Sequence, residues 1–600
     1  MRYLKIKHII TIWLLCSVAP ALFSQENNNQ DVEEGTINKE VKVVREYNPT
    51  ISDAFKINDM PSQSDTLKAS PVFKYQLTGK PLITPPEISP MVPARLSGEP
   101  LDNLYPVYIH GYLGNYEIMG GGLLYNLVRH NKFALSLNAN HESSFGNLDL
   151  ENGKESDAYY HETNANLYMR HFFEKSTLSV DMGFLNYAYR YYGQNNMDKD
   201  YSYISLSPVT GSDILNIDKQ RQTVFDVDFG LANRISENDI FYNIGVGFST
   251  FGNLSNIKEN NFRIKGNLDI PLGELGLRVS SSIDHVSALN HNTELHDFFS
   301  FADYKRTLLQ LNPSLISEHG NFFIKLGFRM GTGIYSAGDE FYLSPDIEAD
   351  FTIRDVVVLQ AGITGDIKSN SYRNVMAENP FLAPDVNVMD AFHGVKFFAG
   401  IKGKFSSKTS FGARVEYGTF TNEHFFVNRN YGWTNGSESG FHYDNKFDVL
   451  HDDGFLLTVS GEFKAQITPE LDVTLRGAYY GWQVDTLEKA WHKPDMEIGL
   501  RAAYSATRDL KFTAAINILG ERFAQIPTDA IQPTSMLLSP EMEIKRLKPV
   551  FDFNVGANYT LNSRWYFFGT IQNLISSKYY KFYGYPMHGI NARVGVGYSF

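Results

Sequence analysis

Two short runs place histidine beside carboxylates, a set of side chains that can bind a divalent cation. One run is His451-Asp452-Asp453, and the other extends from His291 to Asp297. Neither spacing matches an established metal-site pattern. We therefore expect solvated residues of a loop or a lumen in both runs, and the sequence predicts no metal or other cofactor.

Glycine- and serine-containing motifs also fall short of catalytic patterns. Gly245-Val246-Gly247 and Gly331-Thr332-Gly333 lack the third glycine of a phosphate-binding loop. The run from Gly247 to Phe251 lacks the closing glycine of a nucleophile elbow. The prediction is a protein that is not an enzyme, with a barrel-embedded hydrolase as the least favoured alternative.

Charge and cysteine content restrict the partners and the means of stabilisation. The chain carries 54 Lys and Arg against 67 Asp and Glu, a formal net charge of -13. This acidity argues against nucleic acid as a partner, because phosphate contacts need clustered Lys and Arg. The one cysteine, Cys16, lies in the apolar N-terminal run, so we expect no structural disulfide in the exported protein.

The first 104 residues predict two segments that precede the main domain. Residues 1–24 have basic residues, then an apolar core and a small-residue cleavage point, which is typical of a secretory signal peptide. Residues 25–104 are polar and then rich in proline, which indicates an extended periplasmic segment without a large core. Within it, Val41, Val43 and Val44 predict a short apolar strand, which could contact another envelope protein by strand addition.

From residue 105 to 600, apolar and polar residues alternate with the period of a β-strand. Clear examples lie at 133–140, 177–184, 225–231, 496–501 and 551–560. In one of them, Phe225, Val227 and Phe229 alternate with Asp226 and Asp228. About twenty such strands behind an export signal favour a transmembrane β-barrel, whose outer face meets lipid and whose inner face meets water. The fold class is therefore all-β, a large antiparallel transmembrane barrel.

The connections between the strands alternate in length, which predicts a rim of tight turns and a rim of long loops. Tight turns fall near 129–131, 174–175, 272–274, 407–408, 469–470, 507–508 and 562–563. Longer polar segments lie around 146–157, 194–220, 290–304, 371–389, 425–446, 526–546 and 577–588. Because both termini should lie at the periplasmic rim, the strand number should be even. We predict 20–22 strands, with 22 if the stretch from Val107 to Val128 is split at Gly114-Asn115 as a hairpin.

The C-terminus carries a family resemblance. Asn573-Leu574, Tyr579-Tyr580, Gly584-Tyr585-Pro586 and Gly589 precede a last strand that contains Gly595 and ends in Tyr598 and Phe600. This arrangement resembles the end of TonB-dependent receptors. Upstream, Gly114-Asn115-Tyr116 and the run from His141 to Gly146 resemble landmarks of barrels in the same group. The resemblance implies an outer-membrane barrel whose terminal residues, Tyr598 and Phe600, are read by the barrel-assembly machinery.

The resemblance also implies a role in solute passage across the outer membrane, with lipid and TonB or another envelope protein as partners. We recognise no plug domain in residues 25–104, whereas a full receptor of this family carries one. A structural or accessory subunit of an envelope secretion or assembly complex therefore stays open as the alternative. The ligand is not indicated by any motif.

Overall fold

We describe the fold from a computed structural model of the chain. The structure describes residues 105–127, 130–150, 155–193, 219–233, 240–255, 257–290, 304–336, 338–383, 386–428, 446–527, 542–576 and 578–600. The predictions for residues 1–104, which are the signal peptide, the proline-rich segment and the strand Val41, Val43 and Val44, lie outside these residues.

The described residues form strands almost throughout. The first fifteen are β1 (Val107–Gly114), β2 (Ile118–Asn126), β3 (Phe133–Ser144), β4 (Asn147–Asp149), β5 (Glu155–Asp157), β6 (Tyr160–Phe172), β7 (Ser176–Arg190), β8 (Lys219–Asn233), β9 (Phe241–Asn253), β10 (Ile257–Leu272), β11 (Leu275–Asn290), β12 (Tyr304–His319), β13 (Phe322–Tyr335), β14 (Gly338–Ile353) and β15 (Val357–Lys368). After the helix α1 (Tyr372–Glu378) come β16 (Ala391–Ser406), β17 (Thr409–Asn428), β18 (Phe447–Thr468), β19 (Leu471–Val484), β20 (Met496–Ser505), β21 (Leu510–Leu519), β22 (Arg522–Pro527), β23 (Met542–Leu547), β24 (Val550–Leu561), β25 (Trp565–Gln572), β26 (Tyr580–Phe582), β27 (Tyr585–Pro586) and β28 (Asn591–Ser599).

Twenty-two of these strands form one closed antiparallel barrel. Each pairs with its neighbours along the chain, and β1 pairs with β28 from Tyr108–Ser599 to Gly114–Arg593. The amide of Phe600 extends this seam by donating to the carbonyl of Val107 at 2.9 Å. The remaining pairs, β4–β5, β22–β23 and β26–β27, are hairpins within the loops. Because β1 and β2 are joined by a three-residue turn after Gly114, the hairpin interpretation and the count of 22 are confirmed.

The two faces of each strand differ as the alternation predicts. Phe229 and Val594, on the outer face, are 50% and 69% exposed, which is expected where lipid replaces water. On the inner face of β8, Asp226 and Asp228 instead form ion pairs with arginines. On the inner face of β28, Gly595 leaves room for its neighbours, because a Cβ there would lie 2.7 Å from the backbone carbonyl of Gly111 and against the ring of Phe568.

The rims of the barrel also agree with the sequence prediction. Tight turns join β7 to β6, β11 to β10, β17 to β16, β19 to β18 and β25 to β24, all on one rim, which also holds Val107 and Phe600. The strand ends that the long segments connect all lie on the opposite rim, which also carries short turns such as the one between β1 and β2. We call these the short-turn rim and the long-loop rim.

Outward-facing aromatic rings surround the short-turn rim. Phe405 stacks on Phe411 with ring centroids 4.5 Å apart, and Trp565 lies 4.7 Å from Tyr598. Aromatic side chains are favoured at the level of lipid headgroups, because one end of the ring is apolar and the other tolerates water. In the described part of the chain, no helix is both long and apolar enough to cross a membrane.

Candidate functional site: a loop roof over the barrel lumen

The described residues between β15 and β16, 369–383 and 386–390, belong to a folded loop that we call the crossing loop. Its helix α1 begins after Ser371, whose side chain accepts a hydrogen bond from the amide of Asn374 at 3.3 Å. Tyr372, Val375 and Met376 are buried, and the helix ends at Asn379 before a proline. The expectation of a polar loop at 371–389 is therefore wrong. The apolar residues in this segment were the signal that could have revealed it.

Arg306 on β12 fixes both ends of the crossing loop. Its side chain is fully buried, and its guanidinium lies 3.0 Å from the carboxylate of Asp390, at the end of the loop. It also donates to the hydroxyl of Ser369 at 2.7 Å and to the carbonyl of Asn370 at 2.9 Å, at the beginning of the loop. A buried arginine is stable only with such partners, so the loop and Arg306 depend on each other.

The middle of the crossing loop spans the lumen. On one wall, Arg373 pairs with Asp226 of β8 at 2.5 Å. On the opposite wall, ten strands further round the barrel, the amide of Ala383 donates to the carbonyl of Phe447 of β18 at 2.8 Å. The amide of Phe447 in turn donates to Phe381 at 2.9 Å. Since the loop touches both walls, it lies across the mouth at the long-loop rim.

An apolar layer joins the crossing loop to the walls and to the hairpin β26–β27. Phe381 stacks on Tyr585 with ring centroids 3.6 Å apart. The buried members of this layer are Val224, Phe251, Ile257, Ala288, Tyr372, Val375, Met376, Leu382, Ala383, Val386, Val388, Phe426, Phe447, Val449, Phe582 and Tyr585. Burial of this many side chains holds the elements together by the hydrophobic effect. We call the crossing loop, the hairpin β26–β27 and the loop 485–495 together the roof.

His492 joins two elements of the roof as a neutral imidazole. It is buried, its Nδ1 lies 2.8 Å from the carbonyl of Phe426, and its Nε2 accepts from the amide of Tyr583 at 3.3 Å. The first contact needs a protonated Nδ1 and the second an unprotonated Nε2, which defines one neutral tautomer. The pKa of His492 is lowered to about 4, chiefly by burial; the contact with Phe426 opposes the shift, and the nearby charge of Arg522 adds to it.

A cluster of charges holds the far end of α1. The carboxylate of Glu378 lies 2.7 Å from His424 Nε2 and 3.0 Å from Lys493 Nζ. Lys493 also lies 3.7 Å from Glu423, which pairs with Lys368 at 3.1 Å. Although burial alone raises the pKa of Glu378, the hydrogen bond with His424 and the charge of Lys493 outweigh it and lower that pKa to about 2. The carboxylate is therefore ionised at neutral pH.

Beneath the roof lies a cavity of about 630 Å³ that we call the chamber. Tyr187, Tyr192 and Phe381 line one side of it, and Asn554 and Gln572 line the other. A second cavity of about 740 Å³ shares its lining with the chamber along Tyr579 and Lys581. Cavities of this size are typical of sites that bind small molecules.

Of the residues singled out from the sequence, Asn573, Tyr579, Tyr585 and Gly589 line the chamber, whereas the terminal residues lie apart from it. Tyr598 and Phe600 face outward at the short-turn rim, with ring centroids 4.8 Å apart. Asp452 is not a solvated residue as we expected, because it is buried and accepts hydrogen bonds from the amides of Thr486 and Leu487. The run from His291 to Asp297 is outside the described residues. Among the residues that the structure describes, no group of His, Cys, Asp and Glu could hold a metal ion.

Solved structures with a similar fold include outer-membrane receptors and transporters. The FrpB iron transporter from Neisseria meningitidis has a TM-score of 0.59 at 11% identity, over 83% of this chain and 82% of its own. The pyoverdine outer membrane receptor FpvA from Pseudomonas aeruginosa has a TM-score of 0.58 at 10% identity, over 84% and 79%. The ferric-catecholate import receptor Fiu from E. coli K12 has a TM-score of 0.55 at 11% identity, over 83% and 82%.

No protein-family model and no curated protein sequence matches the chain. At 10–11% identity, the similarity to the solved structures shows the fold. That fold is a TonB-dependent receptor-like outer-membrane β-barrel of 22 strands, as the C-terminal resemblance predicts.

Proposed function

We propose that this protein is an outer-membrane barrel that mediates passage of a solute, with the roof as a movable barrier. The observation that carries the proposal is the crossing loop, which reaches both walls of a barrel with the fold of outer-membrane receptors. A solute that passes through the lumen must displace this loop. The short-turn rim then faces the periplasm, as in other outer-membrane barrels, and the roof faces the cell exterior.

The proposal includes the segments and partners expected from the sequence. Residues 1–24 act as the signal peptide, and residues 25–104 lie in the periplasm. The strand Val41, Val43 and Val44 offers an edge to TonB or to another envelope protein by strand addition. Lipid surrounds the outer face, and the assembly machinery reads Tyr598 and Phe600. The protein has no enzyme activity in this proposal.

A reversible lock tests the roof directly. Leu382 and Phe447 are bridge partners, and Cys16 is the one native cysteine, so Leu382→Cys with Phe447→Cys offers a single disulfide across the roof. Purified full chain in planar bilayers should show openings when the lock is reduced and none when it is oxidised. The two single-cysteine variants are the controls.

Removal of residues 371–389 tests the same barrier without new side chains. The deletion should give large steady channels, measured both in the full chain and in a chain that lacks residues 25–100. A silent deletion variant in both backgrounds would overturn the role of the roof as the barrier.

The alternative function is that of an accessory subunit of an envelope complex, and the size of the apolar layer favours it. Sixteen buried apolar side chains form one layer, which suits a barrel that stays closed. A full chain whose conductance and cellular role are the same with the lock oxidised and reduced would support this alternative.

A further inference from the structure

We infer that the chamber binds a neutral polyhydroxylated ring, a sugar of one or two rings. This inference deepens the proposed function by naming a class of solute, and it rests on that function only for its biological meaning. The chamber is assigned as the sugar-binding site on the basis of its lining, its charge balance and its position beneath the roof.

The aromatic side of the chamber supplies flat apolar surfaces. Tyr187 lies against Tyr189 in a stacked pair with ring centroids 5.1 Å apart, and Tyr192 meets Tyr585 edge-on at 5.1 Å. These contacts hold the rings in place before a ligand binds, which lowers the entropic cost of ordering the side chains on binding. A sugar ring has a face of C–H groups that can lie on such a surface.

The facing side of the chamber supplies groups that bind hydroxyls. Gln572 lines it with an amide that can both donate and accept, and the structure shows no hydrogen-bond partner for it among the described residues. The same is true of the hydroxyl of Tyr187 across the chamber. Glu162, beside Tyr187, offers carboxylate acceptors. Donors and acceptors on both sides suit a ring whose edge carries several hydroxyls.

The balance of charge argues for a neutral ligand. Arg593 enters the lining, but its guanidinium pairs with Glu142 at 2.6 Å. The remaining charges are two acids, Glu162 and Asp552, and one base, Lys581. Beyond the pair of Arg593 with Glu142, two acids and one base leave a net charge of only -1 on a lining that is otherwise made of uncharged polar, aromatic and apolar side chains. A purely apolar ring would also fit poorly, because it would leave the amide and hydroxyl groups desolvated and unpaired.

Calorimetric titration of the full chain tests the inference, in a detergent that contains no sugar. The probes are maltose, cellobiose and myo-inositol, with p-cresol as an aromatic ring of one hydroxyl. Saturable binding of at least one sugar is expected. Tyr187→Ala and Gln572→Ala should each weaken that binding about tenfold, which corresponds to about 1.4 kcal/mol.

Matched controls come from the same lumen. Tyr480 of β19 and Gln310 of β12 also face inward but do not line the chamber, so Tyr480→Ala and Gln310→Ala should leave sugar binding unchanged. Absence of saturable sugar binding, tighter binding of p-cresol than of every sugar, or equal losses in the control variants would each overturn the inference. The titration measures sugar binding separately from any opening of the roof in a bilayer. If a sugar binds but the cysteine lock does not change the conductance, that result would contradict the proposed function and leave the inference about the chamber intact.

Discussion

At the residue scale, His492 gives the roof a dependence on pH that can be measured. Its pKa is about 4 in the folded protein and near 6.5 when it is exposed. Since the folded value is the lower one, the stability that neutral His492 supports is complete above about pH 6.5. It is lost as the pH falls towards 4, because the unfolded segment binds the proton first.

We expect protease access to the crossing loop to increase between pH 7 and pH 5. The shift corresponds to a loss of at most about 3 kcal/mol of roof stability. His492→Asn should flatten this dependence, because Asn tolerates the positive φ of 58° at this position and does not titrate. The loss of protection is followed by proteolysis at graded pH. If protease access in His492→Asn depended equally steeply on pH, another titratable group would be responsible for the dependence.

The ring of Phe600 carries a second prediction at this scale. Phe600→Ala should reduce the amount of assembled barrel, because the insertion machinery is expected to read an aromatic C-terminus. Heat-modifiable mobility on gels measures assembly. Phe322→Ala is the control, since Phe322 is also an exposed aromatic on the short-turn rim, 4.7 Å from Phe351. Normal assembly of Phe600→Ala, or equal loss in both variants, would contradict a specific terminal signal.

At the scale of the elements, the crossing loop should depend on one buried ion pair. Arg306→Met leaves Asp390 buried without its cation, which costs about 3–5 kcal/mol. Trypsin should then cleave after Arg373, while the barrel remains heat-modifiable. Asp390→Asn in the same chain should restore part of the protection. Arg278→Met is the control, because Arg278 and Asp269 form a solvent-exposed pair worth at most about 1 kcal/mol. Cleavage as slow as in the unmodified chain would show that Arg306 does not hold the loop.

The strands could be predicted from the sequence because their environment repeats every second residue. Phe551 and Asp552 face lipid and lumen respectively, and each strand repeats this contrast without reference to distant residues. The rims were predictable for a similar reason, since every long connection joins strands at the same rim, although short turns such as the one after Gly114 also occur there. These patterns predict a barrel, the number of its strands and the position of each rim.

The roof could not be predicted in this way because its contacts join residues far apart in the sequence. Phe381 packs on Tyr585 and bonds to Phe447, and neither partner shares a periodic pattern with it. Arg306 lies in a barrel strand, where nothing in its neighbouring sequence distinguishes it from any other lumen-facing charge. A count of apolar residues in segment 371–389 would have indicated a buried loop, although not its position across the mouth.

At the scale of the whole molecule, the barrel sheet is complete within residues 107–599. The seam between β1 and β28 closes it with seven residue pairs, and the amide of Phe600 bonds to Val107. Every strand of the barrel thus has both neighbours within this range, and no edge remains open. The first described residue that the sheet uses for its backbone hydrogen bonds is Pro106, whose carbonyl accepts from the amide of Asn126 at 2.8 Å.

Removal of residues 25–100 should therefore leave a barrel that inserts and folds. The variant keeps the signal peptide and the residues that lead into β1. Its heat-modifiable fraction and its resistance to proteolysis should match those of the full chain, because the hydrogen bonds of the sheet and the buried layer of the roof lie within the retained residues. The Phe600→Ala variant serves as the control for failed assembly in the same cells. Loss of the folded band on deletion would show that residues 25–100 belong to the folding unit, and the division at residue 104 would then be wrong.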